Sequence, residues 1–130
     1  MDELTPIQGD LQSQAMSALW RLGAGTVEQV RSELPARYRG AYNTIQTILN
    51  RLAERGLVER ERAGRGILYK PRLTEAEYLS GTIRRTLAGA SSDARQAALA
   101  SIIGGLGADE LSELRELAEQ ARAARGKRGS

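Results

Sequence analysis

The chain contains neither cysteine nor histidine. Their absence removes thiol nucleophiles, disulfides, imidazole acid–base chemistry and the usual transition-metal ligands in one step. Long apolar runs are missing as well. The longest aliphatic stretch, around Ile102, is short and is broken by Gly104 and Gly105, so no membrane segment is expected. The start, Met1-Asp2-Glu3-Leu4, has neither a basic cluster nor an apolar run, so the protein is expected to be soluble and cytoplasmic. The single tryptophan, Trp20, cannot build an aromatic cage alone and reads as a core or inter-domain anchor. Asp and Glu could serve as acid and base, but their spacing reads as solvated helix faces with no apolar pocket around any pair. No enzyme is expected, and no metal or other cofactor is implied.

What is present is organised. The chain has 130 residues, 41% of them apolar, enough for one compact domain and an appendage. Residues 41–72 read as an amphipathic helix running into a hairpin. Ile45, Ile48, Leu49 and Leu52 fall at i, i+3, i+4 and i+7 and form one apolar stripe. The opposite face carries Asn43, Thr44, Gln46, Thr47, Asn50 and Arg51: uncharged and short or forked first, cationic later, suiting base edges and then phosphates. Gly56 sits where a left-handed helix end wants no Cβ. Beyond it, two strand-like runs flank Ala63-Gly64-Arg65-Gly66, a turn whose two glycines can take positive φ and hold Arg65 at the tip.

Charge follows the same map. The chain carries 19 Lys+Arg against 16 Asp+Glu, a net +3. Between positions 37 and 72, nine basic residues face three acidic ones, so this stretch holds +6 and the remainder −3. A basic block confined to the helix and hairpin is the footprint of a polyanion-binding face. The plainer reading is that these arginines are merely solvated; the hairpin and the polar helix face weigh against it.

Ahead of this block, Thr5-Pro6 announces a helix in which Ile7, Leu11, Ala15, Ala18, Leu19 and Leu22 keep helical spacing up to Gly23. Thr26 and Gln29 form a capping box, Val27, Val30 and Leu34 a short apolar face, and Pro35 ends that helix. Three helices followed by a hairpin is the winged helix-turn-helix order. After Pro71 the character changes. Thr74 and Glu77 make a second capping box, opening a helix with Leu79, Ile83 and Leu87 at every fourth position. Gly89 and Ser91-Ser92 interrupt it. A next segment carries Ala94, Ala98, Leu99, Ile102 and Ile103, and Gly104, Gly105 and Gly107 break the chain again. The last helix has Asp109 and Glu110 in its first turn, Leu111, Leu114 and Leu117 on one face, and Arg122 and Arg125 near its end, as its dipole favours. Three thin amphipathic helices cannot bury these faces on each other efficiently, and a second copy of the chain is the natural partner.

The expected fold is therefore mainly α, an N-terminal winged helix-turn-helix with a small β-hairpin wing followed by a C-terminal helical dimerisation region. The expected domains are 1–72 for DNA binding, 73–125 for dimerisation and 126–130 as a disordered basic tail. The dimerisation set is Leu79, Ile83, Leu87, Leu99, Ile102, Ile103, Leu111, Leu114 and Leu117.

Residues 4–30, LTPIQGDLQSQAMSALWRLGAGTVEQV, and 41–71, AYNTIQTILNRLAERGLVERERAGRGILYKP, together resemble the penicillinase repressor family (BlaI/MecI/CopY type). The resemblance is close over the first 72 residues and architectural beyond them; TIQTILNRLAERGLV and the Leu19-Trp20 pair are its most specific parts. It implies a cytoplasmic homodimeric repressor that occludes a promoter by binding a palindromic operator on double-stranded DNA. By position it implies recognition-helix contacts from Asn43, Thr44, Gln46, Thr47 and Arg51 and a wing contact from Arg65, with Arg39 and Tyr42 beside the helix start completing the set. It also implies a sensor or protease that triggers release. Two departures bear on that last point. Copper-responsive relatives carry a C-terminal cysteine cluster, which this chain lacks, and relatives released by proteolysis carry an Asn-Phe pair where this chain has Ala100-Ser101-Ile102-Ile103. The rival reading is a winged-helix module that binds a protein, its basic face incidental; such modules usually lack a polar helix face beside an Arg-tipped wing.

Overall fold

Helix α1 spans Asp10–Leu22, α2 spans Val27–Glu33 and α3 spans Tyr42–Glu54, with a single 3-10 turn, Ala36–Tyr38, between the last two. The computed structural model describes residues 9–129; the helix start expected at Thr5-Pro6 lies outside them. Strands β1 (Val58–Ala63) and β2 (Gly66–Pro71) pair antiparallel, and helices α4 (Glu75–Ala88), α5 (Ser92–Gly104) and α6 (Ala108–Gly129) follow.

Each early element forms for a local reason and is fixed by burial. In α1 the stripe buries Ala15, Met16, Ala18 and Leu19, and in α2 it buries Val27 and Val30. The α2 capping box is complete: the Thr26 side chain accepts from the Gln29 amide at 3.2 Å, and the Gln29 side chain accepts from the Thr26 amide at 2.9 Å. Leu34 caps the helix and Pro35 begins the 3-10 turn. In α3 the buried residues are the four that the spacing picks out, Ile45, Ile48, Leu49 and Leu52. Leu57, Val58 and Tyr69 close this core from the hairpin side.

Two glycines are required by backbone shape. Gly56, at φ 79°, turns the chain from α3 into β1. Gly64, at φ 61°, opens the two-residue turn Gly64-Arg65 between the paired residues Ala63 and Gly66. Of the two glycines flanking Arg65 only Gly64 takes positive φ, the sign pattern of a II′ hairpin turn, whose twist suits the strands. A third glycine is needed for space: a Cβ on Gly25 would stand 3.0 Å from Leu22 Cδ1. Gly25 donates to the Tyr69 carbonyl at 2.9 Å and accepts from its amide at 2.8 Å, adding a one-residue rung to the hairpin.

The chain forms two compact units divided between Thr86 and Leu87. The division therefore falls inside α4, well past the 72/73 boundary expected from composition. Trp20 explains the difference. Its indole N–H donates to the Leu73 carbonyl at 3.0 Å, and its ring lies 5.7 Å from that of Tyr78, so the first turns of α4 belong to the winged helix. The second capping box also forms, with Glu77 accepting from the Thr74 amide at 2.8 Å and Thr74 Oγ1 accepting from the Glu77 amide at 3.0 Å.

In the second unit, Ser91 caps α5 by accepting from the Ala94 amide at 3.2 Å. Among its described side chains none is buried. Helix α6 continues to Gly129, so residues 126–129, expected to be disordered, have helical backbone. Ala121, Ala123 and Ala124 with Arg122 and Arg125 are strong helix formers, and one Gly at 126 costs only about 1 kcal/mol against them. No helix among the described residues is long and apolar enough to cross a membrane.

Candidate nucleic-acid interface

Helix α3 builds the centre of the site. With Ile45, Ile48, Leu49 and Leu52 turned into the core, 100° per residue puts Asn43, Thr44, Thr47 and Arg51 on the outer face, where all four are exposed. Gln46 lies at the edge of that face and is half-buried. Thr47 Oγ1 donates to the Asn43 carbonyl at 2.9 Å, so its hydroxyl offers acceptor lone pairs and its methyl group outward. The side chains of Asn43, Gln46 and Arg51 have no partner among the described residues and keep their hydrogen-bonding capacity.

The entrance to α3 differs from those of its neighbours. Ala41 supplies no side-chain cap and no acidic residue stands in the first turn, whereas Thr26 and Ser91 cap α2 and α5. Unsatisfied first-turn amides and the positive helix end form an anion-seeking feature beside the exposed Tyr42. Arg39 behaves differently from its expected role. Its guanidinium donates to the carbonyls of Leu34 at 2.9 Å and Ser32 at 3.4 Å, closing the C-terminal end of α2. It thus fixes the loop that leads into α3.

The hairpin completes the surface, and its register sorts the charges. Val58, Arg60 and Arg62 alternate on one face of β1, opposite Pro71, Tyr69 and Ile67 of β2. Tyr69 is fully buried, so this is the face turned toward α3. Glu59 and Glu61 occupy the other face with Lys70 and Leu68, away from the recognition helix. Arg62 and Arg65 have no partner among the described residues, while Glu59 is engaged by Arg72 at 3.7 Å. Arg60 and Arg62 were missing from the expected set. The period of two running out from buried Val58 was the signal that could have found them.

Asn50 was placed with the reading side chains by periodicity, but the structure uses it internally. Its Oδ1 accepts from the Tyr69 hydroxyl at 2.8 Å and from Arg60 Nη1 at 3.3 Å. Burial, outweighing the nearby Arg60 charge, raises the Tyr69 hydroxyl above its usual 10.0 and keeps it a donor.

Of the expected dimerisation side chains, Leu79 and Ile83 on α4 are each 52% exposed, and Leu99, Ile102, Ile103, Leu111, Leu114 and Leu117 on α5 and α6 are exposed too. Leu87 is half-buried.

A helix-turn-helix whose second helix presents an uncapped end and a polar outer face, with a basic hairpin beside it, defines a winged-helix DNA-binding protein. Comparison with known proteins gives the family. Residues 8–120 match the model of the family described as Penicillinase repressor. The chain is 41% identical over 112 residues to the transcriptional regulator BlaI of Mycobacterium tuberculosis, covering 85% of this chain and 80% of that one. It is 28% identical over 74 residues to the penicillinase repressor of Bacillus licheniformis, 57% of this chain and 58% of that one. Among solved structures, the DNA-binding domain of the repressor BlaI aligns with a TM-score of 0.50 at 28% identity, covering 60% of this chain and 94% of that domain. The chain belongs to the penicillinase repressor family, a family of non-enzymatic, DNA-binding transcriptional repressors.

Proposed function

We propose that this protein is a homodimeric repressor that occludes a promoter by gripping a palindromic operator, one half-site per protomer. The observation that carries this reading is the sorting of charge on the hairpin: Arg62 shares the face turned toward α3, and the carboxylates of Glu59 and Glu61 take the opposite face. A solvated hairpin needs no such sorting; a surface that meets phosphate does. In this reading Asn43, Gln46 and Thr47 meet base edges in the major groove, with the amides able to pair two-fold with adenine. Arg51, Arg62 and Arg65 meet phosphates on either side, and the open amides at the start of α3 take another. Tyr42 lies beside that phosphate, and Thr44 flanks the base-reading row.

Dimerisation follows from the C-terminal helices. Leu79, Ile83, Leu99, Ile102, Ile103, Leu111, Leu114 and Leu117 leave apolar surface in water on a chain whose second unit buries no described side chain. A second copy covers it at no cost in new sequence, and two-fold symmetry of the protein imposes a two-fold operator. No reacting group is needed, because repression asks only for operator affinity above that for bulk DNA.

Sequencing of the DNA that copurifies with the protein tests this directly. The expected product is an inverted repeat whose half-site centres lie about one helical turn, roughly 10 base pairs, or a multiple apart. Enrichment of a single unrepeated site, or of no sequence at all, overturns the dimeric-operator reading.

A further inference from the structure

Asn50 follows Thr47 by three positions and Gln46 by four, so helical periodicity alone groups it with the reading side chains. Its contacts separate it from them. The carboxamide oxygen accepts from Tyr69 on β2 at 2.8 Å and from Arg60 on β1 at 3.3 Å, so one atom of the recognition helix holds both strands of the wing. Arginine can only donate, which settles the orientation of the amide: the oxygen faces the hairpin. Tyr69 is a firm anchor for this contact. It is fully buried, and both its backbone groups pair with Gly25.

The geometry makes the contact consequential for the tip. From Tyr69 to Arg65 the strand advances about 13 Å at roughly 3.3 Å per residue. A tilt of about 10° at the clamp therefore moves Arg65 by about 2 Å, more than the whole distance range over which an N–H···O bond holds. We propose that Asn50 is the positioning residue of the DNA-binding surface. By accepting from both strands it sets the pitch of the wing against α3, so that Arg62 and Arg65 meet phosphates of the same half-site that Asn43, Thr47 and Arg51 address. The inference rests on the DNA-binding reading above.

The test uses the full chain and mixed-sequence duplex DNA, with affinity measured by fluorescence anisotropy across a salt series. Wild type, Asn50→Leu, Tyr69→Phe, the double variant Arg62→Ala/Arg65→Ala, and each clamp variant in that double background are compared. Asn50→Leu should weaken binding about tenfold or more and flatten the plot of log affinity against log salt by about two, the signature of two lost phosphate contacts. Tyr69→Phe should do the same to a smaller degree, and its melting temperature identifies it as folded if Asn50→Leu is not. In the background without Arg62 and Arg65, the clamp variants should change affinity less than about twofold, because the wing they aim has already lost its charges. Equal losses in both backgrounds, or an unchanged salt slope in Asn50→Leu and Tyr69→Phe, overturn the clamp while leaving DNA binding intact. A wild-type affinity that does not respond to salt overturns the DNA-binding reading itself, and the clamp with it.

Discussion

Replacing Leu114 by Glu should dissociate the proposed dimer without disturbing the winged helix. Leu114 is 38% exposed in the single chain. Burying a whole leucine contributes about 1.5–3 kcal/mol, so covering that remaining fraction is worth roughly 1 kcal/mol. Glutamate forfeits this and brings a carboxylate to a surface that must be dehydrated, at a further cost of about 1 kcal/mol after allowance for its partial exposure. In a two-fold dimer every substitution occurs twice, so the loss doubles to about 4 kcal/mol, or about a thousandfold in the dissociation constant. Sedimentation velocity between 1 and 100 µM (an about hundredfold range chosen to bracket micromolar affinities) should show a wild-type dimer and a Leu114→Glu monomer. Ser112→Glu is the control. It sits about 160° around α6 from Leu114 at 100° per residue and should leave the assembly within threefold or so of wild type. Near-ultraviolet dichroism of Trp20 should stay unchanged, since the indole is held by Leu73 and Tyr78 within the first unit. A wild-type protein that is monomeric across the range, or a Leu114→Glu dimer as tight as wild type, refutes the reasoning.

Three further expectations can be checked independently. Arg51, Arg62 and Arg65 from two protomers give six phosphate contacts, so log operator affinity against log salt should slope at about −5, and Arg65→Ala should reduce that slope while weakening operator and bulk DNA alike. Gln46→Ala and Asn43→Ala should instead relax preference at individual base pairs by about 1–3 kcal/mol each, as a binding-site selection profile would reveal, whereas an unaltered profile removes the residue from the reading set. Tyr69 has its hydroxyl raised above 10.0 by burial, so folding favours the protonated phenol: stability is complete below pH 10 and falls above it as the unfolded state ionises first, a drop that alkaline thermal melts should show in wild type and find reduced in Tyr69→Phe.

Periodicity and local chemistry carried the fold far. The stripe of α3, the capping boxes at Thr26/Gln29 and Thr74/Glu77, and the turn at Gly56 are all decided within a few residues of chain, and all stand in the structure. What escaped depends on partners distant in sequence. Asn50 meets Tyr69 across 19 positions and Trp20 meets Leu73 across 53, and neither periodicity nor propensity contains such a pairing. The boundary at 72/73 failed for the same reason: composition changes at Pro71, but burial of Trp20 carries the first unit into α4. Gly25 looked like one of many loop glycines until Tyr69 was seen to pair with it. On the wing, the alternation that sorts Arg62 from Glu61 was available in the sequence, yet only the buried Tyr69 shows which face meets α3.

The distribution of chemistry along the chain explains how such a protein can be released from DNA. Base and phosphate contacts are confined to α3 and the wing, and the exposed leucines and isoleucines to α4, α5 and α6. A single winged helix with three phosphate-seeking arginines binds modestly. Joining two makes the second contact intramolecular, which multiplies affinity by the effective concentration of the second reader. Operator affinity is then governed by residues that never touch DNA. A chain cut after Thr86, the end of the first compact unit, should keep Trp20 covered and remain folded, bind half-sites, and lose about a hundredfold or more in operator affinity. Titration of one operator duplex with both forms decides the matter, and equal affinities would show that the C-terminal helices contribute nothing to repression. A signal that loosens those helices achieves the same release with Gln46 and Arg65 untouched, and the break at Gly104, Gly105 and Gly107 between α5 and α6 is where the backbone resists it least.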